Sequence, residues 1–316
     1  MIEIKNLTKI YHAQPVVNHL SLVVDSGEIF GLVGPNGSGK TCLLRMMATL
    51  VEPSSGDIQI GGYSVLEHKQ DVRRLIGFLP DQTGLYSGMT VCEYLDYFAS
   101  CYQVTKSSRK NLISDLLDLV DLAQRKDDWI NDLSLGLQKR LGLARLLIHD
   151  PQVLLLDEPS AGLDFEGKLE FQNLLVELAG MGKTIFLTTH SPADTAQICS
   201  RIAIMDGGEL AAVGDFATLA EQFDIKRKIK ITYLDETAMV KKLLEKIPVV
   251  DKITVLGDNP ARQHQIEMDF RGDEVLLSQV LTYLTKSGVQ VIRFSMDDND
   301  LERVISNATR GQASQP

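Results

Sequence analysis

The sequence lacks the long apolar runs of membrane-spanning chains. No stretch of its 316 residues approaches about 18 consecutive apolar residues, so no membrane-spanning helix is expected. No apolar segment follows Met1, so no secretory signal is expected either. If the chain works at a membrane, a partner must therefore hold it there.

The sequence also has few cysteines and no excess of positive charge. The four cysteines are scattered without C-x-x-C spacing, which argues against a metal site or a disulfide framework and favours reduced thiols in a cytosol. The formal net charge is −10, and most of the excess negative charge lies before residue 225. A non-specific nucleic-acid binder would need a basic surface, so we expect no nucleic-acid partner.

The sequence does contain a complete phosphate-binding motif, GPNGSGKT, at residues 34–41. The motif follows an apolar segment, Glu28 to Val33, that predicts a buried strand, and it precedes a predicted helix at 42–50, which is the context this motif requires. Glycines let backbone N–H groups point at a phosphate chain, and the helix begins there with its positive end. Lys40 is expected to reach the β- and γ-phosphates and the Thr41 hydroxyl to bind Mg²⁺. The motif alone does not separate kinases, GTPases and motor ATPases.

Two adjacent carboxylates in the segment LLLDEPSAGLD help to distinguish among these classes of nucleotide-binding protein. Asp157 ends an all-apolar run that predicts a strand buried on both faces, where its carboxylate can hold Mg²⁺ through water alongside Thr41. Glu158 follows directly and is expected to activate the attacking water, an assistance typically worth about 10²–10⁴-fold in rate. The pair therefore predicts hydrolysis of a nucleoside triphosphate.

With these motifs in order, residues 1 to about 220 resemble the nucleotide-binding subunit of ATP-binding-cassette (ABC) transporters. The resemblance implies ATP and Mg²⁺ as cofactors and ATP hydrolysis as the activity. His190 would contact the γ-phosphate and hold Glu158, and Tyr11 would stack on the adenine. The nucleotide contacts implied within one chain are Tyr11, Gly34, Pro35, Asn36, Gly37, Ser38, Gly39, Lys40, Thr41 and Cys42.

The resemblance also implies that part of each ATP site comes from another subunit. The segment LSLGL at 133–137 stands where the family has LSGGQ, and two of its leucines depart from that pattern. Ser134 and Gly136 would contact the γ-phosphate of ATP bound to the opposite subunit, and Ser134 can also cap the helix that begins there. Asp164 ends the SAGLD loop, which would cross the dimer interface. A homodimer, or a pair with a similar subunit, is therefore expected.

Two neighbouring residues are candidates for one catalytic position. Where the family has a glutamine after a strand and proline, here Ile76 to Pro80, this chain has Asp81, with Gln82 one residue later. Either Asp81 takes the Mg²⁺ and water contacts, or the loop shifts by one residue and Gln82 takes them. We favour Asp81, whose carboxylate would tighten metal binding while repelling the γ-phosphate.

The predicted fold is an α/β P-loop NTPase cassette over residues 1–220, with a mixed sheet core and a helical subdomain at about 82–135. Beyond it, the element order predicts a smaller α+β ferredoxin-like domain at 225–310, followed by a polar tail at 311–316. A last short helix is expected at 299–308. The domain's other strands and helices are expected in the order βαββαβ at 228–234, 236–247, 250–256, 264–270, 273–287 and 289–295.

The resemblance implies a chain that powers a membrane transporter. The predicted domain after the cassette, ending in the helix with Leu301 to Val304, resembles those of subunits that serve exporters of the ABC-2 type. The chain would be cytoplasmic and held on the inner face of the membrane by a polytopic permease, which would dock near the apolar loop around Leu85 and Tyr86. Two alternatives stay open: a soluble cassette ATPase acting on DNA repair or ribosomes, and a module that senses ATP without turnover. The sequence has no long coiled-coil insertion, zinc cysteines or second cassette, which the first alternative usually shows. The second is disfavoured by four intact residues: Lys40, Asp157, Glu158 and His190.

Overall fold

The computed structural model describes residues 2–191, 198–223, 227–259, 263–270, 274–296 and 308. The chain divides into two compact units, with the boundary between Phe216 and Ala217. Residues 299–307 of the predicted last helix and the tail at 311–316 lie outside the described residues. Within the described ranges, no helix combines the length and the apolar character needed to cross a bilayer.

The described part of the first unit contains two sheets and the helices that pack on them. Its strands are β1 (Ile2–Tyr11), β2 (Gln14–Val24), β3 (Ile29–Val33), β4 (Ser55–Ile60), β5 (Tyr63–Ser64), β6 (Ile76–Leu79), β7 (Val153–Asp157), β8 (Thr184–Thr189), β9 (Arg201–Asp206) and β10 (Glu209–Gly214). Its helices are α1 (Lys40–Met47), α2 (Lys69–Leu75), α3 (Val91–Cys101), α4 (Lys106–Leu119), α5 (Leu135–Leu147) and α6 (Phe165–Gly180), and α7 (Phe216–Gln222) begins at the boundary.

The larger sheet has the strand order β10-β9-β3-β8-β7-β6, with β10 antiparallel at one edge and the other strands parallel. Its strand β7 shows why the apolar run before Asp157 is unbroken. Val153 and Leu155 belong to the core that includes α1, whereas Leu154 and Leu156 belong to the core that includes α3 to α6. Both faces of the strand are therefore buried, as the sequence predicts.

The parallel register brings the chemically active segments to one edge of this sheet. Val33 at the end of β3 pairs with Thr189 at the end of β8, and Asp157 at the end of β7 pairs with Thr188. The carboxyl ends of parallel strands lie on the same side, where ligands of open α/β sheets bind. The P-loop, Glu158 and His190 all lie at this edge because they directly follow β3, β7 and β8.

The smaller sheet of the first unit is antiparallel, with the order β2-β1-β4-β5. The helices α3 to α5 lie between β6 and β7 in the chain, where the sequence shows helical periodicity. Thr90 begins α3 with a capping box: its side chain accepts a hydrogen bond from the Glu93 amide, and the Glu93 carboxylate accepts one from the Thr90 amide. Two short 3₁₀ helices, Ala123–Arg125 and Ile130–Asp132, lead from α4 into α5.

Within its described residues, the second unit contains residues 217–222 of α7, one antiparallel sheet of four strands and two further helices. A separate core, which includes Ile231, Leu244, Ile266 and Leu284, holds the sheet and the two further helices together. The assignment of this unit to the ferredoxin-like class remains a prediction. The elements after α7 are β11 (Arg227–Tyr233), α8 (Thr237–Leu244), β12 (Val250–Asn259), β13 (Gln263–Phe270), α9 (Glu274–Lys286) and β14 (Val291–Met296). The strand order in the sheet is β12-β13-β11-β14.

Candidate nucleotide-binding site

The P-loop, residues 34–41, connects the end of β3 to the start of α1, and two of its glycines have no room for a side chain. A Cβ atom at Gly34 would lie 2.1 Å from the carbonyl oxygen of Met205. A Cβ atom at Gly39 would lie 2.5 Å from the carbonyl oxygen of Val16, and the φ angle of Gly39 is 107°, which side chains disfavour. The close passage of the loop along neighbouring backbone therefore requires glycine at both positions.

Two polar side chains are buried within this loop. The Lys40 ammonium donates hydrogen bonds to the carbonyl oxygens of Gly34 at 2.7 Å and Pro35 at 3.0 Å. Burial lowers the pKa of Lys40, and the two carboxylates that end and follow β7 partly offset this effect. Among the described residues, the buried Ser38 Oγ has no hydrogen-bond partner. A buried ammonium and a buried hydroxyl in one loop can both donate hydrogen bonds to phosphate oxygens.

The Asp157 carboxylate lies beside the hydroxyl of Thr41. Its Oδ1 accepts hydrogen bonds from Thr188 Oγ1 at 2.6 Å and from Thr41 Oγ1 at 3.2 Å. Asp157 is buried, as is Thr188. Carboxylate and hydroxyl oxygens are the hard ligands that Mg²⁺ prefers, so the donor set at this point fits the ion.

Glu158 and His190 are in direct contact. His190 Nδ1 lies 2.9 Å from Glu158 Oε2, and the Glu158 side chain is 15% exposed. Glu158 has a φ angle of 47°, in the left-handed region that residues with a Cβ atom seldom adopt. Its amide donates a hydrogen bond to the carbonyl oxygen of Thr188 at 3.1 Å. Such a backbone conformation persists only when its surroundings hold it in place.

Asp81 reaches the P-loop, whereas Gln82 lines a neighbouring cavity. The first cavity, here called the P-loop cavity, is bordered by residues 36–42, Val16, Asp81 and Glu158. Gln82 borders a second cavity beside α5, which Asp81 also touches. Of the two candidates that the sequence leaves open, Asp81 is thus the one that lines a cavity with the P-loop and Glu158.

Tyr11 is exposed at the end of β1 and lies close to the P-loop cavity. The Lys9 ammonium lies 4.9 Å from the centre of its ring, and its phenol is hydrogen-bonded to the Cys42 thiol. Cys42 itself lines the P-loop cavity. The aromatic ring is therefore near the phosphate-binding loop, and it is exposed enough to receive a planar base.

The predicted contacts to the opposite subunit line a separate cavity. Ser134 is the N-cap of α5, and its Oγ accepts a hydrogen bond from the Leu137 amide at 3.4 Å. Asp164 is the N-cap of α6, and its Oδ1 accepts one from the Gly167 amide at 2.9 Å. Ser134, Gly136 and Asp164 border one cavity, here called the signature cavity. Within one chain, these residues and the P-loop therefore belong to different cavities.

The sequence prediction missed two polar residues of this site, Thr188 and Lys139. Thr188 became significant only through the register that pairs it with Asp157. Lys139 is a buried residue of α5 whose ammonium contacts the Asp81 and Glu158 segments. A signal for it was available, because Lys139 lies four residues before the buried Leu143 on the same face of the helix.

Comparison with known proteins identifies the class of protein that this fold and site define. The family model described as ABC transporter matches residues 17–161, which include the P-loop, Ser134, Asp157 and Glu158. Over 304 residues the chain is 33% identical to the uncharacterized ABC transporter ATP-binding protein YxlF of Bacillus subtilis, with 96% of this chain and 98% of that protein covered. The chain belongs to the family of ABC transporter ATP-binding proteins, and the resemblance seen in its motifs is confirmed.

Two further similarities concern export and dimers. The chain is 32% identical over 258 residues to the Nod factor export ATP-binding protein I of Cupriavidus metallidurans, with 82% of this chain and 84% of that protein covered. It also resembles the dimeric structure of an ATP-binding cassette in a post-hydrolysis state with ADP and Pi, with a TM-score of 0.62 and 27% identity over 68% of this chain and 98% of that one. The chain is thus an ATP-binding and ATP-hydrolysing protein with the predicted α/β P-loop cassette fold.

Proposed function

We propose that this chain is the ATPase subunit of a membrane-embedded exporter and that two copies, or one copy and a similar subunit, close around ATP. Residues 1–220 would form the cassette, and residues 225–310 a ferredoxin-like accessory domain. The observation that carries the proposal is the separation of the P-loop cavity from the signature cavity within one chain. Twofold pairing would bring the signature cavity of each copy against the P-loop cavity of the other. Hydrolysis would then remove γ-phosphate contacts and loosen the pair.

In this proposal, residues in and around the P-loop cavity have separate roles in ATP binding and hydrolysis. Lys40 and the loop amides bind the phosphates, and the unpartnered Ser38 hydroxyl adds a donor. Glu158 accepts the proton of the attacking water, and His190 fixes the orientation of its carboxylate and contacts the γ-phosphate. The exposed ring of Tyr11 stacks on the base.

We infer that Mg²⁺ is held by Thr41 and Asp157, with Asp81 supplying a further oxygen ligand. The support is the adjacent hydroxyl and carboxylate of the first two residues and the position of Asp81 on the same cavity. When bound, the ion would neutralise charge that develops on the phosphate oxygens.

We expect Asp81→Asn to lower ATP turnover about tenfold and Gln82→Ala to lower it less than about twofold. Loss of one charge-assisted contact is worth roughly 1.5–3 kcal/mol, and tenfold corresponds to about 1.4 kcal/mol. Phosphate release at saturating ATP measures the effect. In a Mg²⁺ titration, Asp81→Asn should need a higher Mg²⁺ concentration than wild type to reach half of its maximal rate. Equal insensitivity of both variants would contradict the assignment of Asp81.

The membrane partner in this proposal is a polytopic permease, with the chain peripheral on its cytoplasmic side. The similarity to a Nod factor export ATP-binding protein supports an exporter. An exposed aromatic surface supports a docking region: Tyr86 is 47% exposed, and its ring centre lies 6.0 Å from that of Tyr97, which is 45% exposed. Exposed aromatic side chains are enriched where proteins bind one another.

Affinity purification of the full chain from solubilised membranes tests this function. We expect a polytopic membrane protein to co-purify, and we expect Tyr86→Ser to lose it while the purified variant keeps its ATP turnover, because Tyr86 lies outside the P-loop cavity. Recovery of ribosomes or DNA in place of a membrane protein would favour the soluble alternative. A purified chain that binds ATP without steady-state turnover would favour the sensing alternative.

A further inference from the structure

Lys139 is a lysine of α5 whose side chain is only 2% exposed. Its ammonium donates hydrogen bonds to the carbonyl oxygen of Asp81 at 2.8 Å and to that of Glu158 at 3.2 Å, and it lies 3.6 Å from Asp81 Oδ1. One buried cation therefore connects three segments: the helix that begins at the signature, the loop after β6 and the end of β7.

A buried lysine at this point needs an explanation beyond packing. Burial lowers the pKa of Lys139, because it disfavours the charged form, and the carboxylates of Asp81, Asp157 and Glu158 partly offset this effect. A methionine would fill a similar volume without the cost of desolvating a charge. Lys139 differs from a packing residue in that it donates hydrogen bonds to two carbonyl groups in the loops around the P-loop cavity.

The second of these carbonyl groups belongs to Glu158, whose backbone has a left-handed conformation. Glu158 has a φ angle of 47°, and its peptide groups are held on both sides. Its amide donates to Thr188, and its carbonyl oxygen accepts from Lys139. The carboxylate of the same residue lies 2.9 Å from His190 Nδ1. The carbonyl oxygen of Glu158 also accepts from the Ala161 amide at 3.2 Å, so loss of the Lys139 contact would leave this left-handed backbone with one hydrogen bond fewer.

We propose that Lys139 is a positioning residue for ATP hydrolysis, which fixes the backbone of Glu158 and ties it to the Asp81 loop. This inference rests on the role proposed above for Glu158. Lys139 is not among the residues that line the P-loop cavity; it acts through the residue that activates the water. Its hydrogen bonds also connect α5, the helix that begins at Ser134, directly to two residues of the P-loop cavity of the same chain.

The test compares Lys139→Met, which keeps the volume and removes the charge, with Lys139→Gln, which keeps a shorter donor. We expect Lys139→Met to lower kcat about 10–100-fold and to change KM for ATP less than about threefold, because the phosphate contacts of the P-loop remain. Lys139→Gln should lower kcat less than Lys139→Met does. If Lys139→Met fails to fold, the kcat of Lys139→Gln still tests the inference. Turnover within about twofold of wild type in the folded variants would overturn the inference.

A matched control is Lys183→Met. Lys183 is also largely buried and forms an ion pair with Asp150, but it precedes β8, at the opposite end of that strand from Thr188. We expect this variant to keep the wild-type kcat. An equal loss of kcat in Lys183→Met would show that removal of any buried lysine impairs the enzyme, and it would overturn the assignment.

A double-mutant comparison separates positioning of Glu158 from a general structural effect. If Lys139 acts through Glu158, Lys139→Met should have little further effect on kcat in a Glu158→Gln background. A further full loss in that background would overturn the inference. Wild-type turnover in Glu158→Gln alone would overturn both the role of Glu158 and this one. Loss in Glu158→Gln with normal turnover in both Lys139 variants would overturn this inference alone.

Discussion

Glu158→Gln will lower ATP turnover about 10²–10⁴-fold while leaving ATP binding intact, the range expected when a general base is removed. The amide has the shape of the carboxylate and can still meet His190 Nδ1, which lies 2.9 Å from Glu158 Oε2. It cannot accept the proton of the attacking water, however. Phosphate release gives kcat, and a fluorescent ATP analogue gives the binding constant independently of turnover.

The matched control is Glu177→Gln, a change of the same kind at an exposed position of α6. We expect this variant to turn over ATP at the wild-type rate. If turnover of Glu158→Gln stayed within about threefold of wild type, another group would have to activate the water. The proposed division of roles in the P-loop cavity would then be wrong.

Gly34→Ala will weaken ATP binding about 5–150-fold. The added Cβ atom would lie 2.1 Å from the carbonyl oxygen of Met205 and 2.9 Å from Ser38 Oγ. Since the first contact is with backbone, the loop itself must move. Overpacking of this kind costs typically 1–3 kcal/mol, and each 1.4 kcal/mol is a tenfold change in a binding constant. Equilibrium titration with ATP and Mg²⁺ measures the change.

The control for this substitution is Gly180→Ala at the end of α6. A Cβ atom there would meet nothing within 4 Å. Its ATP affinity should equal that of wild type, and its thermal stability should be unchanged or slightly raised, because alanine restricts the unfolded chain. Unaltered ATP affinity in Gly34→Ala would show that the loop tolerates displacement and that its close passage along Met205 is not needed for binding.

The residues of the P-loop and the carboxylates of Asp157 and Glu158 could be predicted because their setting is local. The glycine-rich loop occurs between an apolar strand and a helix, and the run before Asp157 is buried on both faces. Contacts that join distant segments could not be predicted in this way. Lys139 reaches the carbonyl group of Asp81 across 58 positions, and only the folded chain shows that Asp81 rather than Gln82 lines the P-loop cavity.

The edge of the larger sheet illustrates the same limit. Strand β10 has the sequence ELAAVG, in which two alanines and a glycine favour a strand only weakly. It forms because β9 offers an unpaired edge, with Leu210 opposite Met205 and Val213 opposite Ala203. Pairing between strands, rather than local preference, thus determines this element.

The central claim is that ATP joins two chains through the P-loop cavity of one and the signature cavity of the other. The most direct test is the molar mass of Glu158→Gln, measured by light scattering with and without saturating ATP and Mg²⁺. We predict twice the mass of one chain with ATP and the mass of one chain without it. Adding Gly136→Glu should abolish the doubling, since the new carboxylate would repel the partner's γ-phosphate, whereas an acidic residue near the start of α5 is favourable within its own chain. The mass of a single chain at saturating ATP and Mg²⁺ would contradict the account.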